Sequence, residues 1–330
     1  VLPVEFPPRL DLAALPTSVV RLDRTSQAWG GPRLWIKRDD DTGGLLTGNK
    51  IRKLQYVVKE AMDAGTEILI TCGGLQSNHC RATAAVGRRL GMHVILCLRG
   101  EPPARLEGNF LLDKVLGAEI RYLTPEEYDD NEAIMKKIAD DYDRQGKRAF
   151  VISEGASMAT GAWGYIEACA EIAAAESYTG TKFDAIVAPI GSGGTAAGLE
   201  LGARLFGLEA KVWGVNVCDD EDYFRRRIHA IACDAILKYG LDVVLRADDI
   251  GIIDGYVGSG YAKSRPEELA LLVEFARREG IVLDPVYTGK ALFGLRKEWT
   301  GPRFAEAKNV LFIHTGGVFG LFPKADELKV

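Results

Sequence analysis

Five short segments carry residue types and spacings suited to chemistry. Gly191-Ser192-Gly193-Gly194-Thr195 follows an apolar run and opens an amphipathic one. Glycines let a backbone turn sharply and bring its N–H groups against an anion. A helix N-terminus adds a favourable dipole, and the hydroxyls of Ser192 and Thr195 add donors. Phosphate binding is the chemistry this suits; a bare strand-to-helix turn is the plain alternative. Gly191, Gly193 and Ala196 also fit G-x-G-x-x-A, and a second strand ends near Asp219. That outlines the dinucleotide site of a nicotinamide-dependent oxidoreductase, but the acidic residue lies past the strand and the loop sits late in the chain.

The second segment runs from Thr42 to Leu54. Gly43 to Gly48 has the spacing of a nucleoside-triphosphate loop, yet Asn49-Lys50 follows where Lys-Ser or Lys-Thr is required, so that use is excluded. Lys50 instead stands at the start of a helix, where the dipole disfavours a cation. A covalently converted or neutral amine escapes that penalty; a solvated surface lysine is the alternative. The third segment, Gly73 to His79, places Ser77 and Asn78 between a strand and a helix, where they serve as caps, as site residues or as both. The fourth, Leu283 to Lys290, holds the turn signal Asp284-Pro285 followed by Tyr287 and Thr288. The fifth, His314-Thr315-Gly316-Gly317, ends an apolar strand with a glycine pair that admits a ring or a phosphate.

The elements that must position these segments alternate. Strands are predicted at 34–37, near 69, at 93–98, 119–123, 149–153, 184–190, 211–217 and 309–315. Helices are predicted at 49–64, 78–90, 109–116, 125–145, after 161, from 195 to 205, and at 220–239, 267–278 and 288–298. Alternation of this kind implies α/β architecture with mostly parallel sheets covered by helices on both faces. The expected division is a small domain at 50–162 inserted in a larger one formed by 1–49 and 163–330.

Composition narrows the function classes. The 330 residues are 47% hydrophobic and 26% charged, with a formal net charge of −5. That balance speaks against a basic nucleic-acid-binding surface, and no apolar run is long enough to span a bilayer. The cysteines (Cys72, Cys80, Cys97, Cys169, Cys218 and Cys233) form no C-x-x-C pair and read as reduced, mostly buried thiols. His79, His93, His229 and His314 are too scattered for a metal motif, so no metal is expected. The first residues are Val-Leu-Pro, without a methionine or a signal peptide. The compartment is left open: mitochondrion or chloroplast if a leader was removed, otherwise cytoplasm.

Taken together, the segments resemble the pyridoxal-phosphate (PLP) enzymes of the tryptophan-synthase β-subunit fold, fold type II. Within these the likeness is to the branch of D-cysteine desulfhydrases and 1-aminocyclopropane-1-carboxylate deaminases. It rests on KRDD (37–40), GNKIRKLQ (48–55), QSNHCRATA (76–84), GYIEA (164–168), GSGGT (191–195), LDPVYTGKA (283–291) and LFIHTGG (311–317), in the family's order and across nearly the whole chain. VCDDEDYF (217–224) and GSGYA (258–262) look most like the plant and algal desulfhydrases.

The resemblance implies that Lys50 is the lysine joined to PLP and that the phosphate lies against Gly191, Ser192, Gly193, Gly194 and Thr195. It implies that Asn78 bonds the ring hydroxyl and that Thr315 lies near the pyridine nitrogen. Ser77, Asn78 and His79 are expected to hold the substrate carboxylate, with Tyr261, Tyr287 and Thr288 lining the substrate side and Ser77 also counted among the catalytic residues. The deaminases carry Glu at the position of Thr288 and Leu at that of Thr315, whereas the desulfhydrases carry Ser or Thr at both. The implied reaction is therefore β-elimination of D-cysteine to pyruvate, hydrogen sulfide and ammonia, with Lys50 the leading base and a tyrosine assisting. Cyclopropane opening, or elimination from L-cysteate, 3-chloro-D-alanine or D-serine, is the alternative; a non-catalytic PLP carrier is another. The expected partner is a small amino acid, and the expected assembly a homodimer.

Overall fold

A computed structural model describes residues 4–328. Ten strands alternate with helices: β1 (Val19–Arg21), β2 (Arg33–Lys37), β3 (Ile68–Gly74), β4 (His93–Arg99), β5 (Glu119–Leu123), β6 (Ala149–Val151), β7 (Ala185–Ile190), β8 (Lys211–Asn216), β9 (Gly251–Ile253) and β10 (Asn309–Ile313). The helices are α1 (Asp23–Trp29), α2 (Asn49–Asp63), α3 (Asn78–Arg89), α4 (Gly108–Val115), α5 (Pro125–Asp129), α6 (Asn131–Asp143), α7 (Ala159–Thr179), α8 (Gly194–Leu205), α9 (Glu221–Tyr239), α10 (Pro266–Glu279) and α11 (Thr288–Glu298).

Two sheets result, one of six strands in the order β1-β2-β10-β7-β8-β9 and one of four in the order β5-β4-β3-β6. All pairings are parallel except β1 with β2. The two-residue period of a strand explains how each sheet is covered twice. In the large sheet Leu34, Ile36, Val310 and Phe312 pack with Phe275 of α10 and Leu292 and Leu295 of α11. The alternate residues Trp35, Leu311 and Ile313 pack on the other face with Tyr165 and Cys169 of α7 and Leu199 of α8. In the small sheet Leu69, Val94, Leu96 and Leu98 join the core under α2 and α3, while Ile68, Ile70, Ile95 and Cys97 pack with Met135 and Ile138 of α6. The α/β two-lobed class expected from the alternation is the class observed.

Local departures have local causes. The single helix predicted at 125–145 is two. Thr124 and Glu127 form a reciprocal cap on α5, and Asp130 leaves helical geometry at φ −110°, ψ 29°. The Asn131 side chain donates to the Tyr128 carbonyl at 2.7 Å, a bond that competes with the helical ladder. The three-residue strands β1 and β9 and the seven-residue α1 were too short to show a period. All six cysteines are free, four of them buried. Among the described residues no helix is long and apolar enough to cross a membrane, and no cluster of three or more His, Cys, Asp or Glu is arranged for a metal.

Candidate active site

Parallel strands bring their carboxyl ends to one edge, where open α/β sheets take ligands. The segments after β3, β6, β7 and β10 meet there around a narrow cleft. Its lining includes Lys50, Ser77, Asn78, His79, Gly191, Ser192, Gly193, Thr195, Tyr261, Tyr287 and Thr315. A roomier surface groove over α10, lined in part by Arg24, Leu269 and Arg277, has neither a glycine turn nor a lysine.

Lys50 is the second residue of α2. Its neighbour Asn49 fixes the start of that helix twice. The Asn49 N–H donates to the Thr315 carbonyl at 3.0 Å, and its amide donates to Thr195 Oγ1 at 3.1 Å. Lys50 is thereby held between the turn after β10 and the turn after β7. Desolvation lowers its pKa to about 8, against a smaller opposing pull from Glu154. An amine in that range is neutral in appreciable part near neutrality, and that part is available as a nucleophile or base.

Around the glycine turn, Gly193 takes φ +88°, a conformation that favours glycine. A methyl on Gly191 would stand 2.8 Å from the Tyr287 ring, so only glycine lets that ring close over the turn. Ser157 Oγ accepts from the Gly194 N–H at 3.1 Å and shares a 2.8 Å bond with Ser192 Oγ. Lys53 approaches from α2: a methyl on Gly194 would come within 3.0 Å of its Nζ. Lys53 is 1% exposed, and Nζ donates to the Gly155 carbonyl at 3.2 Å. Burial, and then the nearby Lys50, pulls its pKa well down. Among the described residues no carboxylate lies beside Lys53; a buried amine that takes its proton when an anion arrives, next to a turn of N–H groups, fits a phosphate. Together with an available lysine amine, this donor set suits a phosphorylated aldehyde.

Ser77 caps α3, its Oγ accepting from the Cys80 N–H at 3.2 Å, and it also lines the cleft. Asn78 Oδ1 accepts from the Asn109 amide at 2.9 Å, which leaves the Asn78 NH2 as a donor. The His79 tautomer follows from its neighbour. Thr71 spends its one hydroxyl proton on the Ile152 carbonyl at 2.8 Å, so His79 Nε2–H donates to Thr71 Oγ1. Nδ1 is then an unprotonated acceptor, buried and without a partner. Burial and the two lysines hold this imidazole neutral.

Tyr261 and Tyr287 share a 2.5 Å hydroxyl–hydroxyl bond. Burial raises both well above the ordinary phenol range, so both stay protonated. Tyr287 is set by Asp284, whose carboxylate accepts from the N–H groups of Val286, Tyr287 and Thr288 at 2.7–2.9 Å. Thr288 is not brought into the lining. It is fully buried, and its hydroxyl donates to Asp284 Oδ1 at 2.7 Å. Lys53, Ser157 and Glu154 went unmarked in the sequence, although Glu154 and Ser157 follow a strand end as the marked segments do.

Comparison with known proteins agrees with this chemistry. The profile of the family "Pyridoxal-phosphate dependent enzyme" matches residues 10–316. The chain is 42% identical over 328 residues to the bifunctional D-cysteine desulfhydrase/1-aminocyclopropane-1-carboxylate deaminase, mitochondrial, of Arabidopsis thaliana, covering 96% of this chain and 80% of that one. It is 44% identical over 322 residues to a putative 1-aminocyclopropane-1-carboxylate deaminase of Thermotoga maritima, covering 97% and 99%. A solved structure of an ACC deaminase homologue superposes with TM-score 0.90 at 35% identity, covering 98% and 95%. The dinucleotide outline at Gly191, Gly193 and Ala196 is overturned by this match, since the turn belongs to a PLP fold. The chain belongs to the PLP-dependent enzymes of fold type II, in the family that holds the D-cysteine desulfhydrases and 1-aminocyclopropane-1-carboxylate deaminases.

Proposed function

We propose that the chain eliminates sulfide from D-cysteine, giving pyruvate, hydrogen sulfide and ammonia. The observation that carries this is the neutral character of the α11 side of the cleft. Thr288, buried behind that lining, offers no charge, and the carboxylate beside it, Asp284, is saturated by three N–H groups and a hydroxyl. Opening a cyclopropane ring draws on a carboxylate at that position, by the resemblance noted above; expelling a sulfide, an adequate leaving group, does not.

The chemistry that PLP supplies when bound is capture of the amino group and delocalisation of the charge left by the α-proton. Lys50 is the amine that would join it, and the same amine, when free, would take the α-proton. The Gly191–Thr195 turn and Lys53 would hold the phosphate; as the resemblance implies, Asn78 would donate to the ring hydroxyl and Thr315 would serve the pyridine nitrogen. Ser77 and Asn78 hold the substrate carboxylate. His79, with a bare lone pair at Nδ1, acts as an acceptor rather than a carboxylate ligand. The protonated Tyr261–Tyr287 pair delivers a proton to the departing sulfur. Within the family the 217–224 and 258–262 stretches support a place beside the plant and algal enzymes, and the resemblance supports a homodimer.

The second reading is 1-aminocyclopropane-1-carboxylate deamination, favoured by the names of the Thermotoga and Arabidopsis relatives. Holoenzyme offered D-cysteine, L-cysteine and the cyclopropane amino acid separates the two. Sulfide and pyruvate from D-cysteine, at a kcat/KM at least tenfold above 2-oxobutyrate formation, is expected. The reverse order would replace the proposal with the deaminase reading.

A further inference from the structure

Of the seventeen residues lining the cleft, Lys50 and Glu154 alone are of charged type besides the neutral His79. A carboxylate is out of keeping with the rest of the lining, whose glycine turn and neighbouring Lys53 suit anions. Its place is well defined. Glu154 opens the single turn Glu154–Ala156 after β6, and Oε1 accepts from Tyr128 Oη at 2.8 Å. The Arg99 guanidinium lies 5.0 Å from the Tyr128 ring and 5.6 Å from the Tyr261 ring, tying this corner to the tyrosine pair. Glu154 lines the same cleft as Lys50, Tyr261 and Tyr287. Among the described residues nothing hydrogen-bonds Oε2, and the side chain is exposed to the cleft.

We propose that Glu154 sorts amino acids by the charge of the substituent on their β-carbon, admitting neutral or cationic hydrogen-bond donors and repelling anions, and that it opens the site to 2,3-diaminopropionate. The inference rests on the proposed orientation, in which the phosphate and the α-carboxylate meet donors elsewhere. The acceptor left over then meets the side chain. A thiol or hydroxyl offers it a donor, a β-ammonium makes a charge-assisted bond, and a sulfonate meets like charge in a partly desolvated cleft.

The step balances. The Cα–H and Cβ–N bonds break, and the Cβ–N electron pair leaves with the β-nitrogen as ammonia. The resulting 2-aminoacrylate takes up one water and yields pyruvate and a second ammonia. Overall, 2,3-diaminopropionate and water give pyruvate and two ammonia, with no oxidant or reductant.

The test uses holoenzyme and its Glu154→Gln variant, which keeps the shape of the side chain and an acceptor for Tyr128. Pyruvate release from 2,3-diaminopropionate, serine and cysteate is measured for each enantiomer. In parallel, dissociation constants of the unreactive probes 2,4-diaminobutyrate and aspartate are read from the absorbance of the bound cofactor. The expected result is a diaminopropionate-to-cysteate ratio of kcat/KM that falls at least tenfold in Glu154→Gln, with a parallel loss of preference for diaminobutyrate over aspartate. A wild-type enzyme that turns over cysteate as readily as diaminopropionate, or a ratio the variant leaves unchanged, overturns the proposal. Absence of pyruvate from every amino acid, with the charge order of the probes intact and lost in the variant, overturns the elimination reading and supports the charge selection.

Discussion

Consecutive residues of α2 carry cations into two different interiors. Arg52 enters a closed ionic cluster: its guanidinium meets Asp39 at 2.9 Å and Glu171 at 2.8 Å, and Lys37 meets Glu171 at 2.6 Å. Thr17 and Tyr165 fill the remaining acceptor positions on Asp39 at 2.7 Å. Burial pushes the Asp39 and Glu171 carboxyls upward, but Arg52 and its neighbours win and hold both below the usual range. Lys53, one residue on, meets among the described residues only a carbonyl. Two cations balanced by two anions make a structural element whose charge needs no ligand. A cation buried without an anion marks the place where a ligand completes the charge balance.

The largest effect expected is at the reactive end of the unbalanced side. Lys50→Ala should abolish covalent uptake of PLP and lower turnover by roughly 10⁴-fold, the upper end of what a positioned base contributes. Absorbance of the bound cofactor and a pyruvate assay check it. A variant that keeps full activity would remove Lys50 from both roles.

Next comes the balanced side. Arg52→Leu leaves Asp39 and Glu171 buried with too little positive charge, and should cost about 3–5 kcal/mol of folding stability. Urea unfolding of the cofactor-free chain measures it. A loss below about 1 kcal/mol would show that the cluster is not the closed unit its geometry describes.

Lys53→Met should act with opposite sign on the same measurement. Removing a buried amine that lacks an anion partner should leave the cofactor-free chain as stable or about 1 kcal/mol more stable. The affinity for PLP should fall at least tenfold, about 1.4 kcal/mol, by calorimetric titration. If Lys53→Met instead destabilises the chain and spares affinity, the contrast between the two residues fails.

That contrast also explains what could be read from residues alone. Gly191 to Thr195, Ser77 and Thr315 were legible because glycine and hydroxyl residues at strand ends have few other uses, and strand ends were visible from the apolar runs. Lys53 was not. Its position on the helix does not distinguish a lysine reaching solvent from one turned under the Gly194 turn; that depends on how α2 packs between the two sheets. Thr288 shows the converse. The resemblance put it at the substrate, but the Asp284-Pro285 turn claims its hydroxyl. The β1 and β9 strands escaped because three residues carry no period.

The smallest effect expected concerns the pH at which the unbalanced side works. A lysine amine at its ordinary pKa is about 0.1% neutral at pH 7.5. With the Lys50 pKa near 8, the neutral share is about a quarter. Only the neutral amine attacks an aldehyde, so uptake of PLP by the cofactor-free chain should quicken as pH rises. The rate should climb close to tenfold per unit between pH 6 and 7, bend near 8, and level off by 9. Lys53→Met sharpens the point. Desolvation, the larger cause of the Lys50 shift, survives in that variant, so the bend should move by well under one unit. Stopped-flow absorbance across this range measures both. A bend near the ordinary lysine value would mean that the cleft hydrates Lys50 as fully as bulk water does, and the contrast across α2 would then rest on Lys53 alone.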